Sequence, residues 1–529
     1  MSFLSAAPAF SPTLRQCFLY ALPALLIGLI LRVSYQAALP EALVTADTSS
    51  YLVTGYGLWE EGEWTMKDKR RWWYPLIVAA MPLLPGSVAQ NVAAVQHAAG
   101  LGTLLAIAWI IGHLTHFWRL WIPLTTTLIA VWPAFLIFEH TFLAESLFIT
   151  ASILTVALSL PIQRLKDPHR LLAFLLALTL TVGLRPPGRA LWLGAAVLLL
   201  WVVRDRSAWR WPNIVAAVFC TATAFTTGSD QMGSRLLLSS VLPLVDTERS
   251  SHYEYRQALK PLILHAREYG SEYPWHQFYY KTRLDNADET RVGEAWKRLA
   301  KNDREFGRVC KALAFETVLY HPFTFARFTF VKVMAASASP ASTQSDSHAH
   351  WELNPRQFSE EQIKENGPRW KKMGQRMRWI YDGRDQAAWE RLATERAGGT
   401  LWFTGSIGAV DRLFPWILTQ PANGGAPALT VTWFGWLTAA GLLACLRPSL
   451  FIPGLMLWFP MLIYLGLTFG VGDRVPRFSV PVQWCWICLA VLALDAVVLL
   501  LSRVAAKSRG AHVGSETAGR ANDSISAQS

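Results

Sequence analysis

Residues 17–39 read CFLYALPALLIGLILRVSYQAAL, and residues 40–76 continue PEALVTADTSSYLVTGYGLWEEGEWTMKDKRRWWYPL. The first stretch is apolar over about the 20 residues that a helix needs to cross a bilayer. The second is polar, charged and rich in aromatic rings, and its Asp47 falls a few residues beyond the end of the helix. Further apolar runs follow down the chain. The fold class read from this pattern is an all-α polytopic membrane protein whose first loop offers a charged side chain at the membrane surface.

Composition agrees. Only 16% of the 529 residues are charged and 52% are hydrophobic, where a soluble globular chain carries about 25% charge. Trp118, Trp121, Trp201, Trp209, Trp211 and Trp433 lie near the ends of apolar runs, the headgroup level that suits an amphipathic ring. The net charge of +12 does not point to nucleic acid, because Lys and Arg gather in short loops between apolar runs, as the positive-inside rule expects. The six cysteines fall mostly inside apolar runs and read as packing residues rather than a disulfide framework. Cys485 and Cys488 share a helical face, but with no histidine or carboxylate at ligand spacing they do not read as a metal site. The chain has no phosphate-binding glycine loop and no dinucleotide fingerprint, so no nucleotide cofactor is expected. A divalent metal stays open.

Apolar runs predict helices over about 17–39, 88–111, 120–138, 141–161, 171–184, 190–203 and 213–227, making residues 1–227 an N-terminal transmembrane module. Arg15 before the first helix marks the cytoplasm, and Arg32 near its far end is expected to snorkel to the interface. The basic turns at Arg164–Arg170 and Arg204–Arg210 then fall inside, and the loop with Asp47 falls outside. Residues 228–430 read as an extracytoplasmic, partly helical and membrane-associated region. Within it Trp296, Leu299, Phe306, Val309 and Leu313 form one stripe of an amphipathic helix that packs on its neighbours, while Ser337–Asn366 reads as a mobile surface segment. Further apolar runs fill 431–502, and 503–529 reads as a disordered cytoplasmic tail, with both termini cytoplasmic.

The turns carrying Arg185, Arg189, Arg474 and Arg477 share the side of Asp47, against the orientation trend, and need another reason to be there. An anionic ligand is the simplest, because guanidinium forks suit phosphate oxygens. Glu139 and Glu145 lie at or just inside the same surface, where an ionisable group is expensive without a partner or a task. Asp47 and Glu145 accept hydrogen bonds when ionised, and either pairs with these arginines or takes a proton from a hydroxyl. A carboxylate base beside an arginine-bound phosphate leaving group is a complete arrangement for moving a group from a lipid phosphate to an alcohol. The plainer alternative is that the arginines bind lipid head groups or pair with Glu139 and Glu145. His321, before Pro322, reads as a helix-end polar residue and is a candidate for positioning a substrate.

Ala46-Asp47-Thr48-Ser49-Ser50-Tyr51, then Gly62, Arg70, Tyr74 and Pro75, resembles the first outer loop of bacterial polytopic glycosyltransferases of the GT-C fold, in the broad protein mannosyltransferase and aminoarabinose transferase group. Thr141-Phe142-Leu143-Ala144-Glu145-Ser146-Leu147-Phe148 is similar to that family's segment at the start of the fourth helix. Leu184-Arg185-Pro186-Pro187-Gly188 is similar to its arginine-proline turn, and Arg474 through Arg477-Phe478 with Pro481 resembles its late outer-loop motif. The order of the motifs carries the signal, over the first seven helices well and the last three loosely. The resemblance implies a GT-C-like transmembrane helix bundle with an outer-face helical loop region, in the bacterial cytoplasmic (inner) membrane. It implies a polyprenyl-phosphate-linked sugar donor and inverting transfer, on the outer side, to the hydroxyl or amine of a glycan, lipid or protein acceptor. Membrane lipids are further partners. Asp47 is then the general base and Glu145 orients or assists, while Arg185, Arg474 or Arg477 holds donor phosphate, with Arg189 on the same side. Tyr51, Arg70 and Tyr74 are substrate-positioning candidates. Many family members have two adjacent acids in this loop, whereas here Thr48 follows Asp47.

Two other classes stay open. A secondary transporter uses polar residues near broken helices and often shows internal repeats, which are not evident by eye. A non-catalytic envelope assembly protein would use residues 228–430 as a docking surface.

Overall fold

The structure is a computed structural model that describes residues 12–38, 40–42, 48–64, 71–202, 209–225, 237–272, 299–300, 302–337, 376, 379, 433–471 and 480–526. Among these residues the regular elements are all helices. Three of them, over Leu14–Ala37, Val88–Leu114 and Pro481–Ala505, are long and apolar enough to cross a membrane, which makes this an α-helical membrane protein.

Helix α1 covers Leu14–Ala38, α2 Thr48–Tyr56, α3 Trp73–Ala80, α4 Val88–Leu114, α5 Trp118–Ala130, α6 Pro133–Glu139 and α7 Glu145–Leu158. Helices α8 (Pro168–Leu184), α9 (Arg189–Val202) and α10 (Trp211–Phe225) complete the N-terminal part. Local chemistry sets several of these boundaries. The Ser87 hydroxyl accepts from the Gln90 N–H while the Gln90 side chain accepts from the Ser87 N–H, a closed capping box that starts α4. Asp167 caps α8 with Pro168 at its first position.

The run expected as one helix over 120–138 is two. Trp132 is extended at φ −66°, ψ 116° before Pro133, because the proline ring disfavours helical backbone at the preceding residue. The next helix starts at Glu145 rather than near Thr141, leaving a buried polar turn between α6 and α7. Helix α4 packs against α1, α5 and α7, α7 against α8, and α8 against α10. Arg32 does not snorkel outward. It is 3% exposed and turns into the bundle to meet Glu139.

The second part contains α11 (Tyr253–Glu272), α12 (Asp303–Tyr320) and α13 (Pro322–Ser337). Phe306, Val309 and Leu313 bury against Leu259 and Ile263 in a core of their own, as the sequence stripe predicts, while Trp296 lies outside the described residues. So does the segment 338–366, most of the stretch read as mobile. Helix α13 packs on α15 (Leu455–Val471), and α14 (Trp433–Cys445) packs on α16 (Val480–Ser526). The tail expected to be disordered instead continues α16 past Arg503 to Ser526.

One carboxylate ties the last long helix to the first bundle. Asp495 is 3% exposed, and it accepts from the His116 and Phe117 N–H groups at 3.0 Å each and from the Trp121 indole at 2.9 Å. These two amides belong to the turn that starts α5, where helical partners are missing. Asp495→Leu strands three donors and is expected to cost roughly 3 kcal/mol, read as lost thermal stability in lipid nanodiscs. Asp495→Asn keeps acceptor capacity and is expected to cost less than half as much.

Candidate active site

Glu145 opens α7, where the partial positive charge of a helix N-terminus favours a carboxylate. Its side chain is 2% exposed, and Arg185 Nη1 lies 2.8 Å from Oε1. The Pro186-Pro187 pair ends α8 and leaves Arg185 extended at φ −147°, ψ 145°, with its carbonyl accepting from the Gly188 N–H at 3.0 Å. A Cβ at Gly188 would come within 2.6 Å of the Thr181 carbonyl oxygen, so the close return of the turn onto α8 needs glycine. Glu145 Oε2 is buried without a hydrogen-bond partner among the described residues. A buried acceptor left open is costly, and it is a ready place for a hydroxyl or amine proton.

Tyr74 stands beside this pair. It is buried, meets Tyr51 edge-on at 4.8 Å and donates its hydroxyl to Gln96 Oε1 at 3.2 Å. Burial first, then the neighbouring Tyr51 and Glu145, push its phenol well above the usual tyrosine range, so it is a neutral donor at physiological pH. Tyr51 sits on α2, three residues beyond Thr48, whose Oγ1 donates to the Phe142 carbonyl at 3.0 Å. That bond docks the start of α2 on the turn that leads into Glu145.

The structure thus brings together Glu145, Arg185, Tyr51 and Tyr74 of the residues singled out in the sequence. Asp47, Arg70, Arg474 and Arg477 lie outside the described residues. Arg189 Nε donates to the Ala224 carbonyl at 2.7 Å, at the C-terminus of α10, where a cation complements the helix dipole. Arg71, which the sequence reading passed over, joins it there with bonds of 2.8 Å to the Thr223 carbonyl and 3.4 Å to that of Ala224. Burial and then the Arg189 charge push Arg71 down to about 10, still cationic at neutral pH. His321 is not part of this group. It is exposed and closes α12, its N–H donating to the Thr317 carbonyl at 2.9 Å, because the α12–α13 junction belongs with the second core.

Beside the Glu145 pair lies a second set of polar residues that the sequence reading did not assemble. Arg32 Nε and Nη2 meet the two oxygens of Glu139 at 2.7 and 2.6 Å, a fork-to-fork pair. Gly100 makes room for it, since a Cβ there would overlap Glu139 Oε1. Gln96 donates to the carbonyls of Glu139 and Thr141 at 3.0 and 2.8 Å, holding the α6–α7 turn. A histidine inside an apolar helix, His97, was the available sign of this set. Among the described residues no group of three or more His, Cys, Asp or Glu is arranged to hold a metal ion.

Next to Pro187 and α7, between α7, the Arg185 turn, α9, α15 and α16, runs a narrow, mainly apolar cleft of about 20 Å³ lined by Phe148, Ser152, Pro187, Met456, Met461 and Tyr464 among others. Trp484 also lines it, and its buried indole N–H has no hydrogen-bond partner among the described residues.

Removing Arg185 alone leaves the Glu145 carboxylate buried without its cation, whereas removing both charges does not. Arg185→Ala is therefore expected to lose roughly 3 kcal/mol or more of stability, and the Glu145→Gln/Arg185→Met pair less than that single change, in a double-mutant cycle on thermal unfolding. No protein-family model matches this chain, and a search of curated proteins finds no match.

Proposed function

We propose that this chain is a membrane glycosyltransferase that moves a sugar from a polyprenyl-phosphate-linked donor to a hydroxyl or amine of an envelope acceptor, on the outer side of the inner membrane. The observation that carries the reading is the buried Glu145–Arg185 pair, with one carboxylate oxygen unpartnered among the described residues, two residues before Pro187, which lines a narrow apolar cleft. An arginine at that place offers donors to a phosphate, and the cleft offers a chain-lined surface to an apolar lipid tail. The GT-C resemblance of the first loop supports the same class.

In this reading Asp47 takes the proton from the acceptor as the acceptor oxygen or nitrogen attacks the anomeric carbon. The bond from that carbon to the donor phosphate breaks, and the lipid phosphate leaves with the electron pair, with inversion. Thr48, next to Asp47 in the chain, is docked on the Phe142 carbonyl, which puts its helix at the turn leading to Glu145. Glu145 orients the acceptor through its open oxygen, and Tyr74 and Tyr51 contact the sugar. Arg185 neutralises charge growing on the phosphate, with Arg474 or Arg477 as further cations. A guanidinium charge in a water-poor site is worth more than in water.

Purified protein in lipid, given a labelled polyprenyl-phosphate sugar pool and candidate acceptors, is expected to transfer label and release lipid phosphate. Asp47→Asn is expected to lower turnover by a factor of about 100 or more with little change in folding. Normal turnover by Asp47→Asn removes it as the base, and the absence of transfer across a broad donor and acceptor set overturns the class.

A further inference from the structure

Helix α12 buries one side and exposes the other. Phe306, Val309, Cys310, Leu313 and Ala314 are buried in the core shared with α11. At 3.6 residues per turn the opposite side carries Arg308, Lys311, Ala312, Phe315 and Leu319, all exposed, and Phe323 prolongs it onto the start of α13. The two halves of this outer face differ. Toward the start of the helix it is basic, with half-buried Glu305 bordering it one turn before Arg308. Toward the end it is apolar, with Phe315 51%, Leu319 77% and Phe323 88% exposed. Lys311 Nζ lies 5.8 Å from the centre of the Phe315 ring, at the seam between the halves. Glu316 falls outside the face and takes donors from Arg249, Arg256 and Ser251. Large apolar side chains grouped on a surface call for a covering partner.

Where α12 leads identifies that partner. His321 closes the helix and Pro322 opens α13, which packs on α15. Helix α15 is apolar, and its Met456, Met461 and Tyr464 line the cleft inside the bundle. The apolar end of the outer face is therefore the end joined to the membrane bundle, and the basic end is the one farther along the chain from it.

We infer that this face of α12, together with Phe323, lies on the lipid bilayer, with Phe315, Leu319 and Phe323 in the acyl boundary and Arg308 and Lys311 at the phosphates of anionic lipids. The lengths agree. Arg308 is seven residues from Phe315, about 10 Å along the helix axis, and an interfacial helix seats its apolar face roughly 5–10 Å into the boundary between headgroups and acyl chains. Lys311 covers Phe315 with its stem while its ammonium stays at the polar level. A second copy of the chain would also cover the apolar end, but it gives no reason for the change from apolar to basic or for its alignment with the junction to α13. The contact is independent of the reaction proposed for the bundle.

Single cysteines carrying a fluorescent label, placed by Leu319→Cys, Phe323→Cys and Glu254→Cys, report what covers the face. The native Cys17, Cys220, Cys310, Cys445, Cys485 and Cys488 are buried, so the label goes to the introduced thiol, and Glu254 is exposed on the side of α11 turned from the shared core. In the full chain in phosphatidylcholine nanodiscs, brominated acyl chains are expected to quench the Leu319→Cys and Phe323→Cys labels at least about twofold more than the Glu254→Cys label. A water-soluble quencher is expected to give the reverse order. Exchanging part of the phosphatidylcholine for phosphatidylglycerol is expected to raise lipid quenching of the Leu319→Cys label, and Arg308→Gln/Lys311→Gln to remove that rise. Lipid quenching of both labels no greater than that of Glu254→Cys overturns the inference. So does protection from the water-soluble quencher without lipid quenching, the result that a second copy or another segment of this chain would give. A phosphatidylglycerol effect that persists in the double variant overturns the role of the two basic residues. Both labelled positions are exposed and stand in separate variants, so loss of one to misfolding leaves the other to decide.

Discussion

A carboxylate in the middle of an apolar bundle has to be answered by its surroundings, and here Glu139 is answered on every side. Arg32 forks onto both oxygens, His97 approaches one of them, and Gln96 takes the carbonyl of the same residue. This one set of bonds joins α1, α4 and α6, and it fixes the start of the turn that delivers Glu145 to the end of α7. A charge so placed adds little stability over a well-packed apolar residue, yet loss of one partner is severe. What it supplies is a defined position. The backbone between α6 and α7 has one place to go, and the Thr48 hydroxyl docks α2 onto it.

The Glu145–Arg185 pair depends on that position. Arg185 comes from the far end of α8, forced out of helical geometry by two prolines and brought close by Gly188. Glu145 comes from the first turn of α7. Neither helix alone would hold a buried charge, and together they leave one carboxylate oxygen without a partner among the described residues. The narrow apolar cleft bordered by Pro187 and α7 sets apolar side chains next to the Arg185 turn, the two characters that the proposed lipid-borne phosphate donor would call on.

Much of this was legible in the order of residues. Apolar runs placed most helices of the first part to within a few residues, the short α2 and α3 and the break between α5 and α6 excepted, because at about 20 residues of continuous apolar sequence the alternatives to a helix are few. The Arg185-Pro186-Pro187-Gly188 turn was legible as well. The partner of Arg32 was not. A long basic side chain near a helix end is usually drawn to the surface, and only the packing of α1 on α4 and α5 turns it inward. His97 and His140 are 43 residues apart in sequence, and neither carries a local motif, so their meeting is set by helix pairing alone. Arg189 reads as a phosphate candidate from its sidedness, and its bond to the C-terminus of α10 had no signal in the sequence. Asp495 is a carboxylate whose use lies in amides contributed by a turn far earlier in the chain.

The most direct measurement of the central claim is photo-crosslinking with a polyprenyl phosphate that carries a photoreactive group in its tail, followed by mapping of the labelled residues. The account predicts label on the cleft, at Met456, Met461, Tyr464 and neighbouring α7 residues, with competition by unlabelled lipid phosphate and loss of that competition in Arg185→Met. Label spread evenly over the exposed faces of α1 and α10, at Leu26, Ile30 or Val218, with no dependence on Arg185, would contradict it.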